Sequence, residues 1–533
     1  MRNAINALRS VLCASAAAAV IAMAPPPAAA EKVMKATVHA DVRVIDPIWT
    51  TQTVAGIHGM LIYDTLFGAD DDLVPQPQMV GDYSVSEDGK TYSFTLRDGL
   101  RFHDGSPVTT EDVIASLERW GAKDQAGKAL FAEIEQLEKV DDMTFKMLLK
   151  APYGMVLDTL GKTNTSVPII MRAEDAATDP NEQITTAIGS GPFKMVMDEW
   201  VPGSKTVYVK NEDYVPRDEP PSGFAGGKVV KIDRLELQWI PDPQTAMQAL
   251  IAGEIDFLEY SPIDFLPILE SSPGIEIKKP GVIDTYWGTL RLNHLHSPFD
   301  NPKMRQAMYH LVNQEDFMRS VVGNTDYYQI CHSYMTCGTS YSNDVKSDVI
   351  GDYDPKKALE KMKAAGYNGE PITVLAATDH SFITPATQVL LNAMREAGLN
   401  VDAQSLDWGS VVARRAKKEK PSEGGWNIFV TASSGTTGAN PVINTWLGAS
   451  CESANVGWPC DEKLDELRSD FAFASTVEER KELARQIQER AVETVPYIVW
   501  GQWTQPIAYR ADRISGIVPV TGLPVFWNID KKE

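Results

Sequence analysis

The chain has 533 residues, 43% hydrophobic and 23% charged, and its formal net charge at pH 7 is −22. This length and ordinary globular composition predict about three or four domain-sized units, or fewer large ones. A field of this sign repels phosphate backbones and anionic headgroups, so the charge argues against binding to nucleic acid or to a membrane surface.

The first thirty residues have the pattern of a secretory signal peptide. Arg2 and Arg9 precede an apolar run at 11–24, and residues 28–30 have the small-x-small pattern that signal peptidase cleaves. The apolar run is shorter than the roughly 20 residues that a transmembrane helix needs. A lipoprotein is the lesser alternative, because Cys13 lies inside the apolar run. We predict cleaved export and a periplasmic mature protein.

Four cysteines remain after the leader: Cys331, Cys337, Cys451 and Cys460. An even number in an oxidising compartment suggests two disulfides. Four cysteines allow three pairings, and the sequence alone does not choose among them. The local pairing, in which each bond closes a short loop, is preferred. A zinc site is the alternative, although no CxxC pair occurs.

Short helical patterns alternate with short strand-like patterns, which indicates a mixed α/β fold. Two Gly/Pro-rich stretches interrupt them at 214–228 and 273–281, and we expect the chain to change domains at the second. The clearest patterns, in chain order, are a strand at 92–96, a helix after a Thr109/Asp112 capping box, a helix opened by Asn301-Pro302, a helix between Asp354-Pro355 and Gly366, and an amphipathic helix at Val477–Thr494.

Common catalytic motifs are absent from the sequence, which has no GxSxG, HExxH or GxxxxGK[ST] pattern. His294 and His296 alternate as on one face of a strand and are candidate metal ligands. Two histidines without a neighbouring cysteine or carboxylate are more often packing or surface residues. We therefore predict no enzymatic activity, no cofactor and no bound metal.

Residues 80–120 carry a family resemblance. They read VGDYSVSEDGKTYSFTLRDGLRFHDGSPVTTEDVIASLERW, which resembles the signature of the family 5 periplasmic solute-binding proteins that serve dipeptide, oligopeptide and nickel ABC importers. Its Asp-Gly pairs, at 88–89, 98–99 and 104–105, predict tight turns. The resemblance covers essentially the whole mature chain, through further matches in the family's order: IGSGPFK at 188–194, NEDY at 211–214, RLNHLHSPFDNPKMRQAM at 291–308 and YDPKKALEKMKAAGY at 353–367.

The resemblance implies an α/β periplasmic binding protein fold, class II-like, in which two hinge strands join two lobes and the ligand lies between the lobes. Such proteins close around the ligand, and the closed state docks on the permease. Hinge crossings are expected near Tyr286 and near Gly501. The implied boundaries are lobe I at 31–283 with an extra subdomain at about 75–185, lobe II at 284–499, and a return to lobe I at 500–533.

The same resemblance places aromatic residues in the cleft. Trp408, in AQSLDWGSVV, matches a position that stacks on the ligand in dipeptide-binding relatives. Tyr286 and Trp287 lie at the first expected hinge crossing, and Trp500 and Trp503 lie at the second. We expect these residues to form walls of the site, with core packing as the alternative for each.

The loop at 431–441, TASSGTTGANP, departs from peptide-binding relatives, which carry an aspartate there for the peptide's α-ammonium. A buried ammonium without a counter-charge is costly, so the loop favours a neutral or anionic ligand unless an acid lies elsewhere in the site. Arg291 is a candidate for holding a ligand carboxylate, with a structural role as the alternative. The candidate ligand contacts of the loop are Ser433, Ser434, Thr436, Thr437 and Asn440.

These observations predict a monomeric, non-catalytic receptor that captures a peptide-like or other small organic solute. It would deliver that solute to the permease subunits of an ABC importer in the inner membrane. The alternatives are a nickel-type metal carrier using His294 and His296, a secreted hydrolase, and a peptide-directed chaperone.

Overall fold

The computed structural model describes residues 31–163, 166–279, 285–474, 476–518 and 523–532. The predicted signal peptide lies outside these residues. Among the described helices, none combines the length and the apolar composition that crossing a membrane requires.

The described strands form three larger sheets and three two-stranded sheets. In chain order they are β1 (Val33–Thr37), β2 (Asp64–Thr65), β3 (Phe67–Ala69), β4 (Pro75–Pro77), β5 (Val80–Val85), β6 (Thr91–Leu96), β7 (Ile134–Lys139), β8 (Thr144–Leu149), β9 (Ile169–Ile170), β10 (Phe193–Met195), β11 (Lys205–Lys210), β12 (Arg234–Gln238), β13 (Phe257–Leu258), β14 (Ile275–Lys278), β15 (Thr285–Leu292), β16 (Tyr328–Gln329), β17 (Ile372–Ala377), β18 (Val401–Leu406), β19 (Ile428–Ser434), β20 (Ile498–Thr504), β21 (Ile507–Arg510), β22 (Ile514–Ser515) and β23 (Asp530–Lys531).

The described helices are α1 (Thr53–Ile62), α2 (Thr110–Lys123), α3 (Gln125–Glu133), α4 (Val156–Leu160), α5 (Ala173–Ala176), α6 (Pro243–Ala252), α7 (Leu266–Glu270), α8 (Pro302–Ala307), α9 (Gln314–Val321), α10 (Ser347–Ile350), α11 (Pro355–Ala364), α12 (Ile383–Glu396), α13 (Trp408–Arg415), α14 (Glu462–Phe473) and α15 (Val477–Thr494).

Sheet A has seven strands in the order β10-β11-β12-β1-β13-β21-β14. Its centre is parallel, because β1 pairs with β12 and with β13 in parallel register. Met34 and Ala36 of β1 point into the core, as the period-2 alternation of a strand requires. Strand β21 lies antiparallel between β13 and β14, so residues after 500 return to this sheet.

Sheet B has six strands in the order β16-β20-β15-β19-β17-β18. Strand β15 pairs antiparallel with β19 and β20, whereas β17 pairs parallel with β18 and β19. The six residues of β17, ITVLAA, are all buried, as expected of a strand covered on both faces.

Among the described strands, two connections join sheets A and B. Residues 505–506 join β20 to β21, and the other connection runs from β14 to β15, where residues 280–284 lie outside the described chain. We expected the hinge crossings near Tyr286 and Gly501. Both residues lie inside sheet B, where Tyr286 pairs with Trp503 and Gly501 pairs with Gly288. The domain boundaries remain predictions.

A four-stranded antiparallel sheet, β5-β6-β8-β7, lies within the residues predicted to form the extra subdomain. Phe94 and Phe145 stack across it with ring centroids 5.1 Å apart. The predicted turn before β6 is confirmed, since Gly89 has a φ of 68°.

Most helix starts expected from the sequence are confirmed. Thr109 and Asp112 form the capping box of α2, and the Asp354 carboxylate accepts hydrogen bonds from two backbone N–H groups in the first turn of α11. Helix α15 has the expected bounds. The helix opened by Asn301-Pro302 is shorter than its pattern, because it ends at Ala307 and tightens into a 3-10 turn over Met308–Leu311.

The cysteines form the two local pairs that were preferred from their spacing. Cys331 bonds Cys337 with an S–S distance of 2.14 Å, and Cys451 bonds Cys460 with an S–S distance of 1.98 Å. Each bond closes a short loop on the side of the chain that carries sheet B.

Both ends of the Gly/Pro-rich stretch at 214–228 contact one buried carboxylate, that of Asp64. Lys228 Nζ lies 2.8 Å from Asp64 Oδ1, and both side chains are 0% exposed. The Tyr214 hydroxyl donates to the other oxygen of Asp64 at 2.9 Å, and the Lys228 ammonium lies over the Trp527 ring. The stretch therefore closes over a polar centre whose charges satisfy one another.

Candidate ligand-binding site

The carboxyl ends of parallel strands from both sheets converge on one pocket. His39 follows β1 and Tyr260 follows β13 in sheet A, while His380 follows β17 and Trp408 follows β18 in sheet B. Ligands of open α/β sheets bind outside the carboxyl ends of the strands. This convergence makes the pocket the candidate site.

We call this space the central pocket; it encompasses about 490 Å³, part of which is open to solvent. Sheet A and its connections supply one side, and sheet B with helices α12 and α13 supplies the other. The described lining residues are His39, Ala40, Thr51, Gln52, Thr53, Val54, Tyr260, Tyr286, His380, Phe382, Ile383, Trp408, Arg415, Thr431, Ala432 and Trp446.

An aromatic cluster closes one end of the central pocket. Tyr260 packs edge-on against Tyr286, with ring centroids 5.3 Å apart, and lies 5.2 Å from Phe382. Trp503 stacks behind Tyr286 at 5.7 Å. Because Tyr260 comes from sheet A and the other three rings from the side of sheet B, the cluster joins the two sides.

Trp408 forms a second wall. It is the first residue of α13, whose N-cap Asp407 accepts from the backbone N–H of Ser410, and its own N–H donates to Asp379 Oδ1 at 2.7 Å. The indole is half-buried and packs edge-on against His380, with centroids 5.1 Å apart. The backbone is thus fixed while part of the ring faces the pocket.

His39 forms a buried pair with Glu259. Its Nδ1 lies 2.9 Å from Glu259 Oε2, and its backbone N–H donates to the same oxygen at 2.8 Å. The side chains are only 6% and 3% exposed. The imidazole stacks on Tyr260 at 5.2 Å, so this pair holds the sheet A wall of the pocket in place.

His380 faces the pocket in its neutral form. Burial, followed by the charge of nearby His39, lowers its pKa from 6.5 to about 3. Its Nδ1 is buried and has no hydrogen-bond partner among the described residues. An unpartnered buried ring nitrogen is costly, so a hydrogen-bonding group of a ligand would stabilise it.

Arg415 places a positive charge in the same pocket. Its side chain is buried, and Nη2 donates to the Thr51 hydroxyl of the opposite wall at 2.9 Å. Burial lowers its pKa to about 10, which leaves it charged at neutral pH. The guanidinium lies 5.9 Å from the Trp408 ring centroid and forms no ion pair with any described carboxylate. A buried cation in this state lacks the counter-charge that usually offsets its desolvation.

The predicted loop contacts use their polar groups internally. Ser433 accepts from Trp446 Nε1, the hydroxyls of Ser434 and Thr436 lie 2.7 Å apart, Thr437 lies 3.5 Å from Ser434, and Asn440 accepts from the N–H groups of the next turn. Of the described residues in this segment, Thr431 and Ala432 line the central pocket instead.

Of the hinge aromatics, Tyr286 lines the pocket and the others lie behind it. Trp287, Trp500 and Trp503 are at most 1% exposed. Trp500 Nε1 donates to the Thr431 carbonyl at 3.0 Å. These three indoles support the wall from the core side.

Arg291 is fully buried away from the central pocket. Its guanidinium donates to the backbone carbonyls of Trp446, Asn455, Val456 and Pro496 at 2.6–3.2 Å. Burial lowers its pKa to about 9. This geometry corresponds to the structural alternative that the sequence left open.

His294 and His296 lie apart from the pocket. His294 Nε2 donates to the Val495 carbonyl at 3.1 Å, and His296 Nε2 donates to the Lys418 carbonyl at 2.7 Å. Within the described ranges, no group of three or more His, Cys, Asp or Glu side chains is arranged to hold a metal ion.

An adjoining cleft supplies the carboxylates that the 431–441 loop lacks. It shares His39, Tyr260 and Phe382 with the central pocket and is also lined by Asp264 and Asp379. The sequence argument against a free amine applied only if no acid lay elsewhere in the site, and these two carboxylates lie beside the central pocket.

Sequence reasoning missed most of the polar groups of the site. His39, Glu259 and His380 come together only through the tertiary fold, so no local pattern identifies them. Arg415 could have been identified from the sequence. It follows Trp408 by seven residues, and residues i and i+7 lie on the same face of a helix.

Two α/β sheets with a pocket enclosed between them define a two-lobed periplasmic binding protein. The chain belongs to the bacterial extracellular solute-binding proteins, family 5, whose family model (family 5 Middle) matches residues 74–455. It is therefore a substrate-binding protein of the kind that serves ABC transporters.

Relatives and solved structures agree with this assignment. The chain is 41% identical to a probable peptide ABC transporter periplasmic-binding protein of Sinorhizobium fredii, over 94% of each chain. It is 28% identical to the glutathione-binding protein of Pectobacterium atrosepticum, over 74% of this chain and 73% of the relative.

Two solved structures share the fold. The periplasmic binding protein AgaA of A. tumefaciens, in complex with agropinic acid, has a TM-score of 0.78, 22% identity and coverage of 94% and 99%. A dipeptide-binding protein from Pseudoalteromonas sp. SM9913, in complex with Met-Leu, has a TM-score of 0.77, 19% identity and coverage of 94% and 100%.

Proposed function

We propose that the protein is an exported receptor that binds a small organic acid in the central pocket and delivers it to the permease of an ABC importer. The ligand carboxylate, or an equivalent anionic group, pairs with Arg415, and the body of the ligand packs on Trp408. Peptides and agropinic acid, the ligands named for relatives and neighbours, belong to this chemical class.

The observation that carries the proposal is the buried charge of Arg415. In a chain with a net charge of −22, this cation lies in an enclosed pocket without a carboxylate partner in the described residues. Ligand binding would supply the counter-charge, and the hydrogen bond from Arg415 to Thr51 would strengthen as the two walls close.

A free amine on the ligand is compatible with this arrangement. Asp379 lies next to Trp408, and Asp264 lines the same adjoining cleft, so an ammonium group has carboxylates beside the central pocket. The proposal therefore includes peptides as well as acids that lack an amine.

The test is the ligand that remains bound during purification. Mature wild-type protein, Arg415→Met and Arg414→Met are purified in parallel, denatured, and the released small molecules are quantified by mass spectrometry. Arg414 is the matched control, because its guanidinium donates to the backbone carbonyls of Gly424 and Gly425 outside the pocket lining. We expect Arg415→Met to lose an acidic solute that Arg414→Met retains. Equal retention by both variants would refute the proposal.

A further inference from the structure

A second space, here called the basic cleft, meets the central pocket at Thr51 and Arg415. It encompasses about 1160 Å³, part of which is open to solvent. Residues within 48–51 and 122–128 line one side, here called the first wall. Residues within 412–418 and 452–458 line the other side, the second wall. The central pocket and this cleft therefore share one residue from each side.

Positive charges dominate the basic cleft. Its charged lining residues are the cations Lys123, Lys128, Arg415 and Lys418 and one acid, Glu452. This balance is opposite to that of the whole chain, which carries a net charge of −22. A concave surface of one sign concentrates ions of the other sign.

The lysines of the first wall have neutral partners. Lys123 Nζ donates to Asn181 Oδ1 at 3.2 Å, and Lys128 Nζ donates to the Ser453 carbonyl at 2.7 Å. Neither forms an ion pair with a carboxylate in the described parts of the chain. On the second wall, Lys418 lies 3.8 Å from Glu452. Both side chains are well exposed, so this ion pair contributes little to stability.

The two walls bring like charges together. Burial lowers the pKa of Lys128; the charge of Lys123 lowers it further, the carboxylate of Asp124 opposes this, and Lys418 adds a smaller lowering. Lys128 belongs to the first wall and Lys418 to the second, so closure of the cleft increases their repulsion unless an anion enters. The Asn455 side chain adds a buried N–H donor that has no acceptor among the described residues.

We propose that the basic cleft binds a second anionic group of the transported solute, a carboxylate or a phosphate. The solute then carries at least two negative charges, one at Arg415 and one between Lys123 and Lys128. This inference rests on the proposed function, because the cleft shares Thr51 and Arg415 with the central pocket.

The test uses simple anions as probes of the ligand-stripped, refolded mature protein. Thermal unfolding is followed during titration with inorganic phosphate and, separately, with glutarate, at ionic strength held constant with sodium chloride. The proteins are wild type, Lys123→Met/Lys128→Met, the charge-conserving Lys123→Arg/Lys128→Arg, and Lys417→Met. Lys417 is the matched control, because it is an exposed lysine of the same region outside the cleft lining.

We expect at least one probe to give a saturable stabilisation of wild type, of the arginine variant and of Lys417→Met. In Lys123→Met/Lys128→Met its apparent affinity should fall about tenfold or more. The more effective probe distinguishes a phosphate from a carboxylate.

The proposal is overturned if neither probe stabilises wild type beyond chloride, or if the lysine-to-methionine double variant responds as wild type does. Failure of the proposed function gives a different result, since Arg415→Met would then retain the co-purifying solute.

Discussion

Replacing Trp408 with alanine tests the wall of the central pocket. The indole is half-buried, one edge packs on His380 at 5.1 Å, and the Arg415 guanidinium lies 5.9 Å from the ring centroid. Truncation removes an aromatic surface from the ligand, which typically costs about 1–3 kcal/mol, or roughly 5- to 150-fold in affinity. The fold should persist, because the N-cap of α13 and the hydrogen bond to Asp379 use backbone groups.

Calorimetry with the recovered solute measures the loss, and urea unfolding measures the stability of the same preparations. Trp200→Ala is the control, since Trp200 is also half-buried but donates to the Val42 carbonyl outside the central pocket. We expect it to bind as wild type does. If Trp408→Ala instead unfolds without a specific loss of affinity, Trp408 belongs to the core and the reasoning fails.

Three further predictions concern the rest of the fold. Lys228→Met should lower the free energy of unfolding by about 3–5 kcal/mol in urea titrations, because it leaves the buried Asp64 without its partner. Asp64→Asn in the same chain should restore part of the loss. A change below about 0.5 kcal/mol for Lys228→Met would contradict this prediction. Burial lowers the pKa of His58 from 6.5 to about 3, so between these two pH values only the unfolded state binds its proton. His58 should therefore contribute about 1.4 kcal/mol per pH unit to the loss of stability as pH drops below 6.5, and an unchanged slope in His58→Gln would reject this assignment. Alkylation of the denatured, unreduced mature protein should label no thiol, because both disulfides are formed, whereas four labelled cysteines would show the pairing to be wrong.

Local patterns predicted the elements that local chemistry determines. The capping box at Thr109 and Asp112 begins α2, and the Asp-Gly turn before β6 has the positive φ that glycine permits. Helix starts and turns depend on hydrogen bonds over a few residues, so the sequence contains the required information. The helix at Asn301-Pro302 ends early because its last turn tightens, which the apolar period does not show.

The site was predicted less completely, because its walls come from distant segments. Ser434 and Thr436 have ligand-like side chains, but their hydroxyls bond each other within one turn. His39 and His380 are more than three hundred residues apart in the chain, yet their ring centroids lie only 6.4 Å apart. Trp408 was expected in the site from the family resemblance, and it lines the central pocket together with Arg415, which lies on the same helix.

A solute bound between sheet A and sheet B should hold the two sides together. Small-angle X-ray scattering of the ligand-stripped protein, before and after the recovered solute is restored at saturation, tests this most directly. We expect a smaller radius of gyration with solute, and the same titration of Arg415→Met should show no change at equal concentration. A wild-type profile that does not change although calorimetry confirms saturation would contradict closure around the ligand.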